Sequence, residues 1–392
     1  MSAAQHFAAL LKLPGAVIAE ESAAIWDNGV RHPSPSFNWI FGNTQLLPFG
    51  SSLILWGGNK AGKSIIVNGM IGQMHRDYDD AVAIKYNTEF REKIQTTDQQ
   101  KKLWGIDDKR YLAFETNRPE EIFDIIEGRL PAMIQGGLNV KLVVIDSISD
   151  ILGRRQANSK TVEQQQIGDE AQTIKDGLKR IKATLKRYGI ALILCVQERA
   201  ELDMLEQMRG NKVKMAGASY LKHFAEYFVH VTRDDSKDGR MDLLKVPFLR
   251  GVKDLAGKQE QSAHIIKFKM QDSTVGPKKR VGRFTLDYYK GVINAHEEVF
   301  LLGVNRNIVG RPNLRTYTVS DFPKTGETSS WSSKADFLNA IKENSQLYSE
   351  LMSRVKTQDV RALKEGFVEE YTAPAVIDSE DTIKFGDEDD EE

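Results

Sequence analysis

The segment "SSLILWGGNKAGKSIIVNGMIGQM", residues 51–74, constrains this chain more than any other. Leu53, Ile54, Leu55 and Trp56 form a short apolar run, which predicts a buried strand. Gly57-x-x-x-x-Gly62-Lys63-Ser64 follows, and Ile66, Met70 and Met74 then recur at a spacing of four, one face of a helix. Strand, glycine-rich turn and helix in that order form a phosphate-binding arrangement. Free N–H groups of the turn point into a concavity, and the helix start adds partial positive charge. Gly57, Gly58, Asn59, Lys60, Ala61, Gly62, Lys63 and Ser64 are therefore the candidate nucleotide loop. Lys63 is expected to reach the β- and γ-phosphates of ATP, and Ser64 to coordinate Mg²⁺. A glycine turn that only starts a helix would not account for the complete motif in this context.

The rest of the chain supplies the partners of that strand. "AVAIKY" (81–86), "VKLVVID" (140–146) and "IALILCVQ" (190–197) are nearly continuous apolar runs, as strands covered on both faces should be. Between them lie helix signals. Pro119 opens "PEEIFDIIEGRL" with early acidic residues, and Ile174, Leu178, Ile181 and Leu185 repeat at three-and-four spacing within 169–188. The alternation predicts an α/β fold with a mostly parallel central sheet and helices on both faces. "EYFVHVTR", "MDLLKV", "AHIIKFKM" and "RFTLDY" predict further strands that extend it. "RHPSPSF" breaks the chain with two prolines, so residues 1–33 read as an N-terminal arm for self-association, 34–295 as the core, 296–376 as a small mixed C-terminal domain and 377–392 as a disordered acidic tail.

In such sheets ligands bind beyond the carboxyl ends of the strands. Asp146 ends "LVVID" and is the expected second Mg²⁺ ligand. Glu89 ends the second strand, where a carboxylate would orient and deprotonate the water that attacks the γ-phosphate. Gln197 ends the fourth strand, where a neutral amide can hydrogen-bond a phosphate and relax when it leaves. Two long polar stretches leave neighbouring strand ends. "GRRQANSKTVEQQQIG" carries Arg154, Arg155 and Lys160; "ERAELDMLEQMRGNKVKMAG" carries Arg199, Arg209, Lys212 and Lys214. Both exceed the usual length of about 2 to 6 residues for such connections. Basic loops without aromatic residues suit a nucleic-acid backbone better than stacked bases, the alternative being charge that merely faces solvent.

The net charge of −1 hides an uneven distribution: residues 378–392 hold nine acidic residues against Lys384, and without them 53 basic face 46 acidic residues. A mildly basic body with an acidic tail fits a polyanionic partner and a tail that competes for the same surface. The single cysteine, Cys195, lies in an apolar run and is expected to be a buried thiol, which leaves no disulfide scheme and no thiolate metal site. No signal pattern and no run of 18 apolar residues appear, so a soluble cytoplasmic protein without a membrane partner is expected.

Taken together and in order, these stretches resemble the RecA-type recombinases, and within them the phage UvsX type. "HPSPSFNWIFG…LLPFGSSLILWGGNKAGKS", "AVAIKYNTEF", "KKLWGID", "LVVIDSISDI" and "ALILCVQERA" match the family's segments over roughly residues 34–290. "NRNIVGRPNLRTYTV" and "SWSSKADF" look like the UvsX type's C-terminal part. The resemblance implies that Glu89 is the catalytic glutamate, that Gln197 is the switch residue (the UvsX type often carries histidine there), and that the loops after Asp146 and Gln197 hold DNA. It further implies that Lys267 and Lys269 in "HIIKFKM" act on the neighbouring subunit's ATP. The family's activity would then be expected: a helical filament on single-stranded DNA, pairing and strand exchange with homologous duplex, and help from a single-strand-binding protein and a loading mediator. A DNA helicase of the same core fold, or another DNA-dependent ATPase motor, is the alternative.

Overall fold

The apolar run before the glycine turn becomes a central strand of a mixed sheet. The computed structural model describes residues 28–154, 157, 169–200, 213–215, 220–234, 240–241, 263–324 and 326–370. The strands are β1 (Gly29–Val30), β2 (Leu47–Pro48), β3 (Ser52–Gly57), β4 (Val82–Asn87), β5 (Tyr111–Glu115), β6 (Val140–Asp146), β7 (Ala191–Ala200), β8 (Val213–Met215), β9 (Tyr227–Arg233), β10 (Arg240–Met241), β11 (Ala263–Ser273), β12 (Val281–Asp287), β13 (Gly291–Ile293), β14 (Tyr317–Ser320) and β15 (Thr328–Trp331). The main sheet runs β13-β12-β11-β9-β3-β7-β6-β4-β5.

Strands β9, β3, β7, β6, β4 and β5 are mutually parallel, and every residue of β3 and β4 is buried. Side chains alternate between two cores, as the two-residue period of a strand requires. Leu53 and Leu55 pack with Ile66, Met70 and Met74 of the Lys63–Asp77 helix. Ile54 and Trp56 pack on the opposite face with Ile122, Phe123, Leu178 and Ile181, from the Glu120–Arg129 and Asp169–Arg187 helices. The sheet is not mostly parallel to its end: β11 pairs antiparallel with β9 and β12, and β12 with β13. The short β11–β12 and β12–β13 connections account for the last two pairings, because a hairpin joins only antiparallel neighbours and a parallel pair needs a crossover; the antiparallel β9–β11 pairing follows from no such local connection. The edge strand β5 carries a short apolar run, Tyr111–Phe114, but its residues are half-buried or exposed rather than covered on both faces.

A third cluster, centred on Phe300, Phe337, Leu347 and Leu351, gathers the Ala295–Asn305, Lys334–Glu343 and Ser345–Glu370 helices and the β14–β15 hairpin. Glu298 ties it to the core. Its Oε2 accepts from Ser34 Oγ at 2.5 Å and from the Ser36 N–H at 2.9 Å, at the start of the Pro35–Trp39 helix. Burial pushes this carboxyl up to about 7, against the smaller opposing pull of those serines. A raised acid pKa means that the folded state holds its proton where the unfolded chain has lost it. Stability from this group is therefore full below pH 4.5 and falls as pH rises towards 7. Glu298→Gln should lack this loss. In urea titrations its stability relative to wild type should rise by on the order of 3 kcal/mol between pH 4.5 and pH 8. A constant difference across that range would refute the buried-carboxyl account. The comparison cancels His32, whose burial pulls its pKa down to about 3 and which acts in the opposite direction.

The arm within residues 1–27, the acidic tail, and Arg155, Lys160, Arg209 and Lys212 lie outside the described residues. Residues 28–33 are described, and Val30 and His32 are buried there.

Candidate functional site

The last residue of β3, Gly57, is glycine because its neighbour leaves no room for a side chain: a Cβ there would lie 2.1 Å from the Val231 carbonyl oxygen of β9. The chain then turns through Lys60 at φ 60° and Gly62 at φ 109°, both left-handed. Gly62 meets this twice, since a Cβ would also strike Ile266 at 2.6 Å. No side chain caps the Lys63–Asp77 helix at Gly62, so its first N–H groups face the turn. Lys63 Nζ folds over the turn and donates to the Gly57 and Gly58 carbonyls at 2.8 and 2.9 Å. Beyond Gly58 the space is open. A glycine turn leading into an uncapped helix start, with an ammonium beside it, is chemistry that attracts an anion.

Ser64 in the first helical turn donates to Asp146 Oδ2 at 2.8 Å, across from the end of β6. Two ligands of one octahedral Mg²⁺ sit about 3.0 Å apart, given bonds of about 2.1 Å. The hard oxygens of this pair therefore fit a divalent cation in type and in spacing. Among the described residues no cluster of three or more His, Cys, Asp or Glu is placed to hold a metal.

Glu89 sits in the turn after β4. Its N–H and that of Arg91 donate to Asn87 Oδ1 at 3.1 and 3.3 Å, and the intervening Phe90 is left-handed at φ 56°. The Gln197 amide nitrogen on β7 donates to Glu89 Oε1 at 3.4 Å and to Asp150 Oδ2 at 3.2 Å. Register explains the convergence: Gly57 pairs with Gln197, Asp146 with Cys195, and Asn87 with Asp146. One sheet edge thus brings the 57–64 loop, Glu89, Asp146 and Gln197 together.

The same edge holds groups that sequence patterns do not single out. Lys85 of β4 is fully buried, with Nζ 3.0 Å from Glu92 Oε2 and 3.8 Å from Asp146 Oδ2. Glu92 also accepts from Asn87 Nδ2 at 3.1 Å and from the Tyr111 hydroxyl. Burial alone would raise the Glu92 pKa; the Lys85 charge and the hydrogen bonds from Tyr111 and Asn87 outweigh it and hold the carboxyl below its ordinary range. A lysine inside a predicted parallel strand is the available signal, since such strands are otherwise apolar. Trp56, just before the glycine turn, stacks on His230 at 3.9 Å, and His230 Nε2 lies 3.0 Å from Glu198 Oε2. Cys195 is buried, and burial pushes its thiol pKa well up.

The remaining candidates are elsewhere. The sequence predicts loop from Glu198 onward, yet β7 continues to Ala200 and pairs with β8, setting Arg199 directly across from Lys214. Both are exposed on this ribbon. Arg154 pairs with Glu120 at 3.5 Å. Lys267 and Lys269 alternate with buried Phe268 and Met270 on β11 and share its exposed face. Lys269 pairs with His230, itself paired with Trp56, so it lies two strand spacings, about 10 Å, to the side of β3. Lys267 binds Asp234 of its own chain at 2.7 Å. None of the described hydrogen bonds or ion pairs joins either lysine to the chain's own 57–64 loop. No helix among the described residues is long and apolar enough to cross a membrane.

Comparison with known proteins agrees with this architecture. The family profile of the RecA N-terminal domain matches residues 34–292. The Protein RecA of Malacoplasma penetrans (strain HF-2) is 26% identical over 142 residues, 36% of this chain. The match spans 40% of that relative's length. With two thirds of its length inside the family profile, an α/β core of mixed sheet, and the glycine turn at the carboxyl edge of that sheet, the chain belongs to the RecA family.

Proposed function

We propose that this chain is an ATP-hydrolysing DNA recombinase of the UvsX type. It forms a helical filament on single-stranded DNA and exchanges strands with homologous duplex, aided by a single-strand-binding protein and a loading mediator. The observation that carries the reading is the bridging of Glu89 and Asp150 by Gln197, on the strand that runs on into the Arg199–Lys214 ribbon. A change at the phosphate edge then has a covalent route to a basic surface only two residues away.

In this reading the N–H groups of residues 58–64 bind the phosphates of ATP, and Lys63 leaves its carbonyl partners to neutralise their charge. Ser64 and Asp146 would hold Mg²⁺, which when bound draws charge from the β- and γ-phosphate oxygens. Glu89 orients a water and takes its proton as the water oxygen bonds to the γ-phosphorus and the bond to the β-phosphate oxygen breaks. Gln197 exchanges its carboxylate partners for the γ-phosphate or its water and returns to them when phosphate leaves.

The test is binding to single-stranded and duplex DNA with and without a non-hydrolysable ATP analogue, followed by electron microscopy. Extended filaments that need the analogue are expected. Closed rings under all conditions would favour a helicase of the same fold. The ribbon makes a second prediction. Arg199→Ala/Lys214→Ala should weaken single-strand affinity and flatten its salt dependence, the log–log slope falling by about 0.7 for each phosphate no longer neutralised. An unchanged slope would remove the ribbon from the DNA surface.

A further inference from the structure

The buried ammonium beside Asp146 poses a problem that the proposed nucleotide site does not explain. Lys85 cannot reach water: its side chain is fully buried, and its strand β4 lies between β5 and β6. It sits 3.8 Å from the same Asp146 oxygen that accepts from Ser64. A fixed cation there competes for the carboxylate that a divalent cation would need, because both seek the same negative charge. The nearer carboxylate is Glu92, at 3.0 Å. Two neutral donors on separate strands, Asn87 on β4 and Tyr111 on β5, aim it at Lys85. The Glu92 N–H is itself fixed by Glu115 Oε1 at 3.0 Å, at the end of β5.

We infer that Glu92 is a positioning residue that holds Lys85 off Asp146, so that Asp146 stays available to a divalent cation. The inference rests on the reading of Ser64 and Asp146 as the metal-holding pair. Removing the Glu92 charge leaves Lys85 buried with Asp146 as the carboxylate in reach, and the ammonium then occupies the metal's partner. Removing both charges removes the competitor, since a buried ion pair deleted as a unit leaves no orphan charge. The two substitutions therefore act in opposite directions on metal affinity, which a packing role for Glu92 would not produce.

The experiment uses the full chain loaded with ADP and follows free Mn²⁺ by electron paramagnetic resonance, with thermal melts as the folding control. Glu92→Gln should weaken Mn²⁺ binding about ten-fold or more. Lys85→Met/Glu92→Gln should bind Mn²⁺ at least as tightly as wild type, and this arm is readable even where the single variant does not fold. Asp146→Asn serves as the reference for the metal reading. Wild-type Mn²⁺ affinity in folded Glu92→Gln, with a loss in Asp146→Asn, would overturn the role of Glu92 alone. A double variant about ten-fold weaker than wild type would also overturn it, by showing that Glu92 acts through packing. Unchanged affinity in Asp146→Asn would overturn the metal reading and the inference with it.

Discussion

With Glu89 replaced by glutamine, ATP should still bind while its hydrolysis falls about 10²-fold or more, the usual scale for losing a positioned base. Glutamine keeps the length and shape of the side chain. Its carbonyl oxygen can still accept from Gln197, now 3.4 Å from Glu89 Oε1. The turn itself is held by backbone donation to Asn87, which the substitution leaves in place. What disappears is the capacity to take a proton from water. In the proposed site binding rests on the 57–64 loop, on a different strand, so the two measurements should separate. Single-turnover hydrolysis on single-stranded DNA and titration with a fluorescent ATP analogue would check this. Hydrolysis within a few-fold of wild type would move the base elsewhere, with Asp150 the first candidate because it shares the Gln197 amide at 3.2 Å.

Neither Lys63→Ala nor the Lys267→Ala/Lys269→Ala variant should turn over ATP alone, yet a mixture of the two should recover part of the activity. Lys63 of one subunit and the lysine pair of the next complete each site in the proposed filament. In a random equal mixture about a quarter of such head-to-tail interfaces carry both intact. The exposed face shared by the two lysines, about 10 Å to the side of β3, motivates this expectation. Within its own chain Lys267 pairs with Asp234 at 2.7 Å, a pair that must open when the lysine engages a neighbour. Rescue should require single-stranded DNA, which would nucleate the proposed filament. Mixed filaments seen by microscopy without any recovered turnover would return both lysines to a solvated strand face.

The substitutions also separate what pattern reading reaches from what it does not. The strand–turn–helix at residues 52–77 was legible because each part follows from local rules. A strand buried on both faces is apolar throughout, a left-handed turn favours glycine, and a helix packs one side at a spacing of four. The same rules placed Asp146, Glu89 and Gln197 at strand ends; Asp146 does end β6, while Glu89 lies just past β4 and Gln197 three residues before the end of β7, and a parallel sheet sends all these positions to one edge. The rule left out β5, whose four-residue apolar run Tyr111–Phe114 is half-buried or exposed rather than covered on both faces, and it failed at Glu198–Ala200, where polar residues extend β7 because β8 supplies a partner. Ladder pairing, not side-chain polarity, decided that segment.

Local patterns in the sequence therefore determined the phosphate-type turn, the order of the parallel strands' elements and the residues at their carboxyl ends. Tertiary structure alone decided the rest. It turned the sheet antiparallel beyond β9, set Lys269 two strands away from Trp56, stacked Trp56 on His230, and placed Lys85 between Glu92 and Asp146. Asp146 lies 61 residues after Lys85 in the chain but 3.8 Å from it in space. Such contacts are fixed by strand order and register, which depend on the packing of the whole sheet. Local propensity carries no information about which distant strand becomes the neighbour.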